Sequence, residues 1–363
     1  MRYYAAACQT DSPNPRGRDE IPGQVDHLLA MIDRAVLGYA PFFPVKLLVF
    51  PEFGHAAPIY PTVEELLDRL AVPVPNEHTD RYRQKARQHG VYIQTATFLE
   101  RDDRYPGHVF NTTCLIGPDG ILTKYRKVHT WIPWEVHASP HDLLDPSIPV
   151  PVPVPLPVPD RGTASETRTG TGKGTGYDED IFPVANTEIG KLGVAICYDW
   201  LFPEAIRQLA LKGAEVLIRV SAYMDPWGAT PPMDWWTIVN RCRALENMAY
   251  VVAANQGASL ENYPPFSWPG GSMIVDYDGR LLAQADPGPG EKIVVGPIDL
   301  DALRAERDRR VGHHMLAHMR MEAYTEYNRS LYPGSLKPGA ARLTIEGNEA
   351  AIAAGKRRLD GKS

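Results

Sequence analysis

The sequence predicts an α/β fold in which strands and helices alternate and pack in layers. Short apolar runs that suit buried strands recur along residues 3–300, and segments with a helical apolar period lie between them. The 363 residues are 44% hydrophobic and 23% charged, which suits a folded protein with a large core. The mixed order of strands and helices favours one layered domain over separate units.

Four segments predict helices, either because apolar residues recur on one face or because start and stop signals bound them. In the first, Val25, Leu28, Leu29, Ile32 and Val36 share a face. A glycine ends the second segment and a proline starts the third. The predicted helices span residues 24–37, 79–89, 203–211 and 235–248.

The predicted strands are apolar runs bounded by turn signals. The run KLLVF, at residues 46–50, is typical of a buried strand. Hairpins are indicated at Pro118-Asp119-Gly120 and at Asp278-Gly279. The predicted strands span residues 3–9, 46–50, 91–99, 111–117, 121–126, 192–196, 215–220 and 250–254, followed by a hairpin at 272–284 and a strand at 292–300.

Residues 146–176 interrupt this pattern with PSIPVPVPVPLPVPD and then a tract rich in Gly, Thr and Ser. Because proline has no N–H to give to a sheet, the first part predicts an extended, polyproline-like arm. The segment is interpreted either as a lid or subunit contact near a site, or as a surface loop. We therefore expect a domain over residues 1–331 that carries this insertion, and a C-terminal arm or tail over residues 332–363.

Charge and cysteine content limit the classes of function. With 38 basic and 44 acidic residues the net charge is -6, which does not indicate nucleic-acid binding. No apolar run approaches the ~20 residues of a membrane helix, and the N-terminus lacks a signal-peptide core. The four cysteines have no paired spacing, which favours a reducing compartment, the cytoplasm. We expect a small-molecule partner, without nucleic acid or membrane.

Polar residues at three strand ends are candidates for chemistry. Glu52 follows the KLLVF run, Lys127 follows the first hairpin, and Cys197 lies where a strand ends and a helix begins. Glu135 comes eight residues after Lys127, between tryptophans. Strand ends gather at one edge of an α/β sheet, where ligands bind, so these side chains are expected to converge. A thiol needs a base or a nearby cation to become a nucleophile, and a glutamate and a lysine supply both.

Three motifs in this order resemble the nitrilase, or carbon–nitrogen hydrolase, superfamily. They are FPE at residues 50–52, KYRKVH at 124–129 and ICYDWLFPE at 196–204, and their spacing matches the Glu–Lys–Cys triad of that superfamily. The resemblance implies a four-layer α-β-β-α sandwich that assembles into a homodimer or a larger homo-oligomer. The helices at 203–211 and 235–248 are the expected pairing face. No cofactor and no metal are expected.

The resemblance also implies roles for the matching residues. Cys197 is the expected nucleophile, and Glu52 is the expected general base. Lys127 and the backbone N–H of Tyr198 are the expected donors to the oxyanion. Glu135 matches a second glutamate found in many members, expected to orient the amide nitrogen or to steer water. Apart from the resemblance, the aromatic residues near these groups are expected either to keep the site dry or simply to belong to the core; they are Phe53, Trp131, Trp134, Tyr198 and Trp200.

The sequence around the cysteine indicates an amide-cleaving branch. True nitrilases typically place Trp-Glu after the cysteine, whereas Tyr198-Asp199 follows it here. The stretch KGAEVLIRVSAYMDP at 212–226, together with Trp131 as an expected substrate-binding residue, is most similar to aliphatic amidases and formamidases. We therefore predict hydrolysis of a small amide to an acid and ammonia. The alternatives are a nitrile or N-carbamoyl substrate, or an inactive binding protein with this fold.

Other motifs are weaker. The histidines at 129, 137 and 141 and at 313, 314 and 318 include an H-x3-H spacing, but HASPH contains a proline and no HExxH motif is present. The tract TGTGKGTG at 169–176 resembles a phosphate-binding loop but lacks Ser or Thr after its lysine. The G-x-S-x-G motif of serine hydrolases is absent from the sequence. Metal, nucleotide and serine-hydrolase chemistry are therefore disfavoured.

Overall fold

The structure is a computed structural model that describes residues 1–11, 14–131, 134–143, 180–224, 228–257, 268–286, 288–328 and 344–359. The expected insertion at 146–176 lies outside the described residues, as does part of the expected tail. The described helices are α1 (Ile21–Tyr39), α2 (Val63–Arg69), α3 (Glu77–His89), α4 (Pro140–Leu143), α5 (Pro203–Leu211), α6 (Trp235–Asn247), α7 (Leu300–Arg309) and α8 (Ile345–Leu359). The described strands are β1 (Arg2–Gln9), β2 (Val45–Val49), β3 (Tyr92–Gln94), β4 (Phe98–Glu100), β5 (Phe110–Gly117), β6 (Gly120–Arg126), β7 (Val184–Thr187), β8 (Gly190–Ile196), β9 (Val216–Ser221), β10 (Tyr250–Asn255), β11 (Met273–Val275), β12 (Leu281–Gln284) and β13 (Lys292–Asp299).

Two mixed sheets form the centre of the domain. The first has the order β13-β1-β2-β3-β5-β4, with β6 paired to β5, and the second has the order β12-β11-β10-β9-β8-β7. Strands β1, β2 and β3 are parallel neighbours, and so are β8, β9 and β10. The carboxyl ends of parallel strands share an edge, and the segments that follow β2, β8 and β9 start from such edges.

The alternation of side chains along β1 shows how the layers are packed. Ala5 and Ala7 face the second sheet and share a buried cluster with residues such as Leu217 of β9. Ala6 and Cys8 point the other way, into a cluster with the buried faces of α1 and α3. Helices α5 and α6 lie against β8 and β10 of the second sheet. The layers are therefore helix, sheet, sheet and helix, as predicted for the single chain.

The elements differ from the prediction in two respects. Residues 91–99 form two strands, β3 and β4, because the residues between these strands hydrogen-bond to other segments of the chain. Thr95 Oγ1 accepts from the N–H of Cys114, and Thr97 Oγ1 accepts from the N–H of Phe53. The sequence also did not predict β7 or the helices α2, α4, α7 and α8. Of these, α8 lies within the expected tail, and its Ile345 packs against the cluster that contains Leu66 of α2.

Candidate active site

A lysine and two glutamates meet where the first sheet faces the second. Lys127 Nζ donates to Glu52 Oε1 at 2.8 Å and to Glu135 Oε1 at 2.7 Å. None of the three side chains is more than 2% exposed. Buried charges persist only when their polar atoms are bonded, and Glu135 Oε2 also accepts from the N–H of Trp131 at 2.7 Å. The structure thus brings Glu52 and Lys127, each of which comes shortly after a strand, together with Glu135.

Both sheets hold the Glu52 carboxylate. Asn111 in β5 donates to Oε1 at 2.8 Å, and the N–H of Ala222, just after β9, donates to Oε2 at 3.0 Å. The next residue, Phe53, has a φ of 62°. Residues other than glycine rarely adopt positive φ, and such strain is concentrated at functional sites. The loop after β2 is therefore shaped to hold this one carboxylate.

Cys197 lies in a sharp turn between a strand and a helix, as predicted. Strand β8 ends at Ile196, residues Cys197–Leu201 form a short 3-10 helix, and α5 follows at Pro203. The φ of Cys197 is 44°, a second positive value at the site. Its side chain is 7% exposed and lines the same cavity as Glu52 and Glu135.

Asp199 holds this turn in place. Its carboxylate is completely buried and accepts four hydrogen bonds. Oδ2 accepts from the N–H of Ile196 at 3.1 Å and from the hydroxyl of Tyr125 at 2.7 Å. Oδ1 accepts from the N–H and from Nδ1–H of His129, both at 2.8 Å. Since Tyr125 and His129 lie on either side of Lys127 in the chain, Asp199 connects the cysteine turn to the lysine segment.

The buried lysine and glutamates shift one another's pKa in opposite directions. Burial raises the pKa of Glu52, and the charge of Glu135 adds to this against the opposing effect of Lys127. Burial also acts to raise the pKa of Glu135, but Lys127 outweighs it and holds that pKa below its usual range. Burial acts to lower the pKa of Lys127, but the two glutamates raise it well above its usual value. Glu52 is therefore the group of the three that accepts a proton most readily.

The cysteine is held in its protonated form. Burial and the charge of Glu52 raise the pKa of Cys197 to about 12, although Lys127 opposes them. At neutral pH the side chain is therefore a thiol, which attacks a carbonyl only if a base takes its proton. Glu52, whose pKa is raised, lines the same cavity.

A cavity of about 250 Å³ extends from these groups. Cys197, Glu52 and Glu135 lie at its polar end, and most of the remaining wall is aromatic or aliphatic. Trp200 was expected in this wall and is not part of it. Its side chain points into the core, where the indole N–H donates to the carbonyl of Ala195 at 3.1 Å. The expected aromatic residues that do line the cavity are Phe53, Trp131, Trp134 and Tyr198.

Three contributors to the site were not predicted from the sequence. Asn111 carried a signal, since asparagine is uncommon inside an apolar strand. Ala222 carried none, because it acts through its backbone. Arg219 in β9 is completely buried, with its guanidinium 4.3 Å from the ring centre of Trp236, and its charge opposes the rise in the Cys197 pKa.

Two of the histidines that cluster in the sequence bond other parts of the chain. His129 bonds Asp199, and His318 Nε2 donates to the carbonyl of Val311 at 2.8 Å. Over the part of the chain that the structure describes, no group of three His, Cys, Asp or Glu side chains is placed to hold a metal ion. Within that same part, none of the helices has both the length and the apolar character needed to cross a membrane.

Comparison with known proteins agrees with this architecture. The model of the carbon-nitrogen hydrolase family matches residues 4–308. A formamidase from Bacillus cereus strain Q1 is 28% identical over 291 residues, which are 80% of this chain and 72% of the formamidase. A formamidase from Bacillus anthracis is 27% identical over 291 residues, again 80% of this chain and 72% of the formamidase.

Two solved structures are similar in fold. Nit3 of Saccharomyces cerevisiae, a member of branch 10 of the nitrilase superfamily, has a TM-score of 0.63 at 22% identity, over 86% of this chain and 95% of Nit3. An amidase mutant from Nesterenkonia sp. AN1, which carries the acetamide moiety of fluoroacetamide on its active-site cysteine, has a TM-score of 0.58 at 20% identity, over 90% of this chain and 96% of the amidase. Because the family match covers most of its length, the chain belongs to the carbon-nitrogen hydrolase family, in the nitrilase superfamily, and is a hydrolase of carbon–nitrogen bonds other than peptide bonds.

Proposed function

We propose that this hydrolase converts a small amide into its acid and ammonia through a thioester on Cys197. The observation that carries the proposal is the bonded group of Glu52, Lys127 and Glu135 at the polar end of the cavity that Cys197 lines. The similarity to formamidases supports an amide over a nitrile or an N-carbamoyl substrate.

In the first half of the reaction, Glu52 accepts the thiol proton as the sulfur of Cys197 bonds to the amide carbon. The carbonyl oxygen becomes an oxyanion, which needs donors that are already in place. Two N–H groups of Lys127 bond the glutamates, and we assign the third, with the N–H of Tyr198, to this oxyanion. The carbon–nitrogen bond then breaks, Glu52 returns its proton to the nitrogen, and ammonia leaves.

In the second half, Glu52 acts as a base again. It takes a proton from water as the water oxygen attacks the thioester carbon. The carbon–sulfur bond breaks, the acid leaves, and the sulfur regains the proton from Glu52. Glu135 remains ionised throughout and keeps Lys127 charged. We assign it to accept a hydrogen bond from the amide N–H₂ of the substrate at the polar end of the cavity. Trp131 is assigned to substrate binding, since its backbone N–H donates to Glu135 and its side chain lines the cavity.

The test is to trap the thioester. An amide mixed with the wild-type protein and quenched with acid during turnover, which stops both half-reactions and leaves a thioester intact, should add the mass of its acyl group to the protein, and peptide mapping should place the group on Cys197. Cys197→Ala should take up no acyl group and release no ammonia. Cys242→Ala is the matched control, because it removes an exposed thiol outside the cavity and should remain active. Ammonia release by Cys197→Ala, or an acyl group on another cysteine, would contradict the mechanism.

We also propose that copies of the chain pair through α5 and α6. These helices expose large apolar side chains, which a soluble monomer rarely groups together. Light scattering of the purified protein gives the mass of the assembly, and a monomer would contradict this pairing. The exposed apolar residues of the two helices are Leu211, Trp235, Ile238 and Leu245.

A cytoplasmic location stays a prediction from the unpaired cysteines.

A further inference from the structure

We propose that the acyl part of the amide is uncharged, apolar and larger than a formyl or acetyl group, so that branched aliphatic and aromatic primary amides are the fitting substrates. This inference rests on the proposed function, because it concerns the amide that the same cavity takes. Three features of the cavity carry it: its volume, the chemistry of its wall and the placement of its charges.

The volume exceeds what the smallest amides fill. The cavity of about 250 Å³ is many times the volume that a single water molecule requires. Formamide or acetamide at Cys197 would leave most of that space without contacts, and unfilled apolar space contributes no binding energy. Isobutyramide or benzamide would occupy more of it and contact more of the wall.

The wall beyond the catalytic groups is mostly apolar, with the tyrosines Tyr198 and Tyr223 also part of it, and three of its rings pack against one another. The rings of Phe53 and Trp134 meet edge to face with centres 5.6 Å apart, and those of Trp131 and Trp134 meet the same way at 6.3 Å. Trp131 also fixes Glu135 through its N–H, so the wall has a set position relative to the reacting groups. The large apolar side chains that line the cavity are Phe53, Trp131, Trp134, Leu201, Met224 and Trp235.

The charges at the cavity disfavour an anionic acyl group. The ionisable carboxyl groups in the described lining belong to Glu52 and Glu135, and no lysine or arginine is among the described lining residues. The nearby ammonium of Lys127 bonds both glutamates, and its third N–H is assigned to the oxyanion, so it has no N–H left for a second anionic group on the acyl part. A substrate carboxylate would therefore lose its water next to two carboxyl groups and gain no cation. Monoamides of dicarboxylic acids and N-carbamoyl amino acids carry such a carboxylate.

The experiment compares kcat/KM for ammonia release from formamide, acetamide, isobutyramide, benzamide and succinamate by the wild-type protein. Each methylene that becomes buried should raise kcat/KM about fourfold, so isobutyramide should exceed acetamide by about tenfold or more. Benzamide should be turned over faster than acetamide, and succinamate more slowly. A series led by formamide, acetamide or succinamate would overturn the inference, whether or not any variant folds.

A charge introduced into the wall gives a second readout. Met224→Lys should lower kcat/KM for benzamide at least tenfold and raise it for succinamate, which reverses the preference. Leu37→Lys, an apolar-to-lysine change at an exposed position of α1, is the matched control and should leave the series unchanged. An unchanged preference in a folded Met224→Lys protein would also overturn the inference. Failure of the proposed function looks different: none of the five amides would release ammonia or acylate Cys197.

Discussion

Replacement of Asp199 by asparagine tests whether this carboxylate holds the cysteine turn. Each carboxylate oxygen accepts one backbone N–H, that of Ile196 on Oδ2 and that of His129 on Oδ1. An asparagine has one oxygen and one N–H₂ group, so in either orientation the N–H₂ faces a backbone donor. The hydroxyl of Tyr125 and the ring of His129 can change from donor to acceptor, but a backbone N–H cannot.

The expected loss of stability follows from the one backbone N–H that loses its acceptor. A buried donor that loses its acceptor costs about 1–3 kcal/mol, and hydrogen bonds to a charged acceptor lie at the upper end of that range. We therefore expect Asp199→Asn to lower the free energy of unfolding by about 1–3 kcal/mol. Because the turn also sets the position of Cys197, kcat should fall more than KM rises.

Urea unfolding followed by tryptophan fluorescence measures the change, with an unchanged m-value as evidence that both proteins unfold in the same way. Asp68→Asn is the control, because it makes the same chemical change at an exposed position of α2 and should shift stability by less than about 0.5 kcal/mol. If Asp199→Asn matched that control in stability and kept the wild-type kcat, the role given to this carboxylate would be refuted.

Two further predictions concern the buried lysine and glutamates. Lys127→Ala leaves Glu52 and Glu135 enclosed without a cation, so it should lower the free energy of unfolding by about 3–5 kcal/mol. It should also abolish turnover. A variant that unfolds in urea at the wild-type midpoint would contradict this prediction. Since Glu52 must be ionised to act as a base and its pKa is raised, kcat/KM should be lost as pH falls through a value above the usual ~4.3 of a glutamate. Glu135→Gln removes a charge that raises that pKa, so the acid limb of the pH profile should move to lower pH, and a limb that stays in place would count against the coupling.

The sequence predicted those site residues that come directly after a strand in the chain. Glu52 and Cys197 follow apolar runs whose period identifies buried strands, so their place at the sheet edge follows from local pattern. The four-layer arrangement and the roles of the residues came from the resemblance, because no local pattern specifies how two sheets face each other.

The parts that the sequence did not predict depend on tertiary contacts. Asn111 reaches Glu52 only because of its place in β5, and Ala222 does so only because the second sheet packs against the first. Trp200 lies near Cys197 in the chain, which predicts a place at the cavity, but the 3-10 turn points its indole into the core. Helix α7 was missed because it is short and charged, and the predicted strand at 292–300 was extended to its first residue.

The second glutamate has a physical purpose under the proposed mechanism. A single buried Lys127–Glu52 pair would hold Glu52 firmly ionised, and a carboxylate stabilised in that way is a poor acceptor for the proton of a thiol whose pKa is about 12. Glu135 gives the group of three one excess negative charge, which keeps Lys127 protonated and raises the pKa of Glu52 again. Proton transfer from Cys197 to Glu52 then moves the excess negative charge from the carboxylates to the sulfur, and it leaves Glu135 and Lys127 as a bonded ion pair. A lysine with one glutamate would lack this balance, which is why the acid limb of the Glu135→Gln profile reports directly on the chemistry.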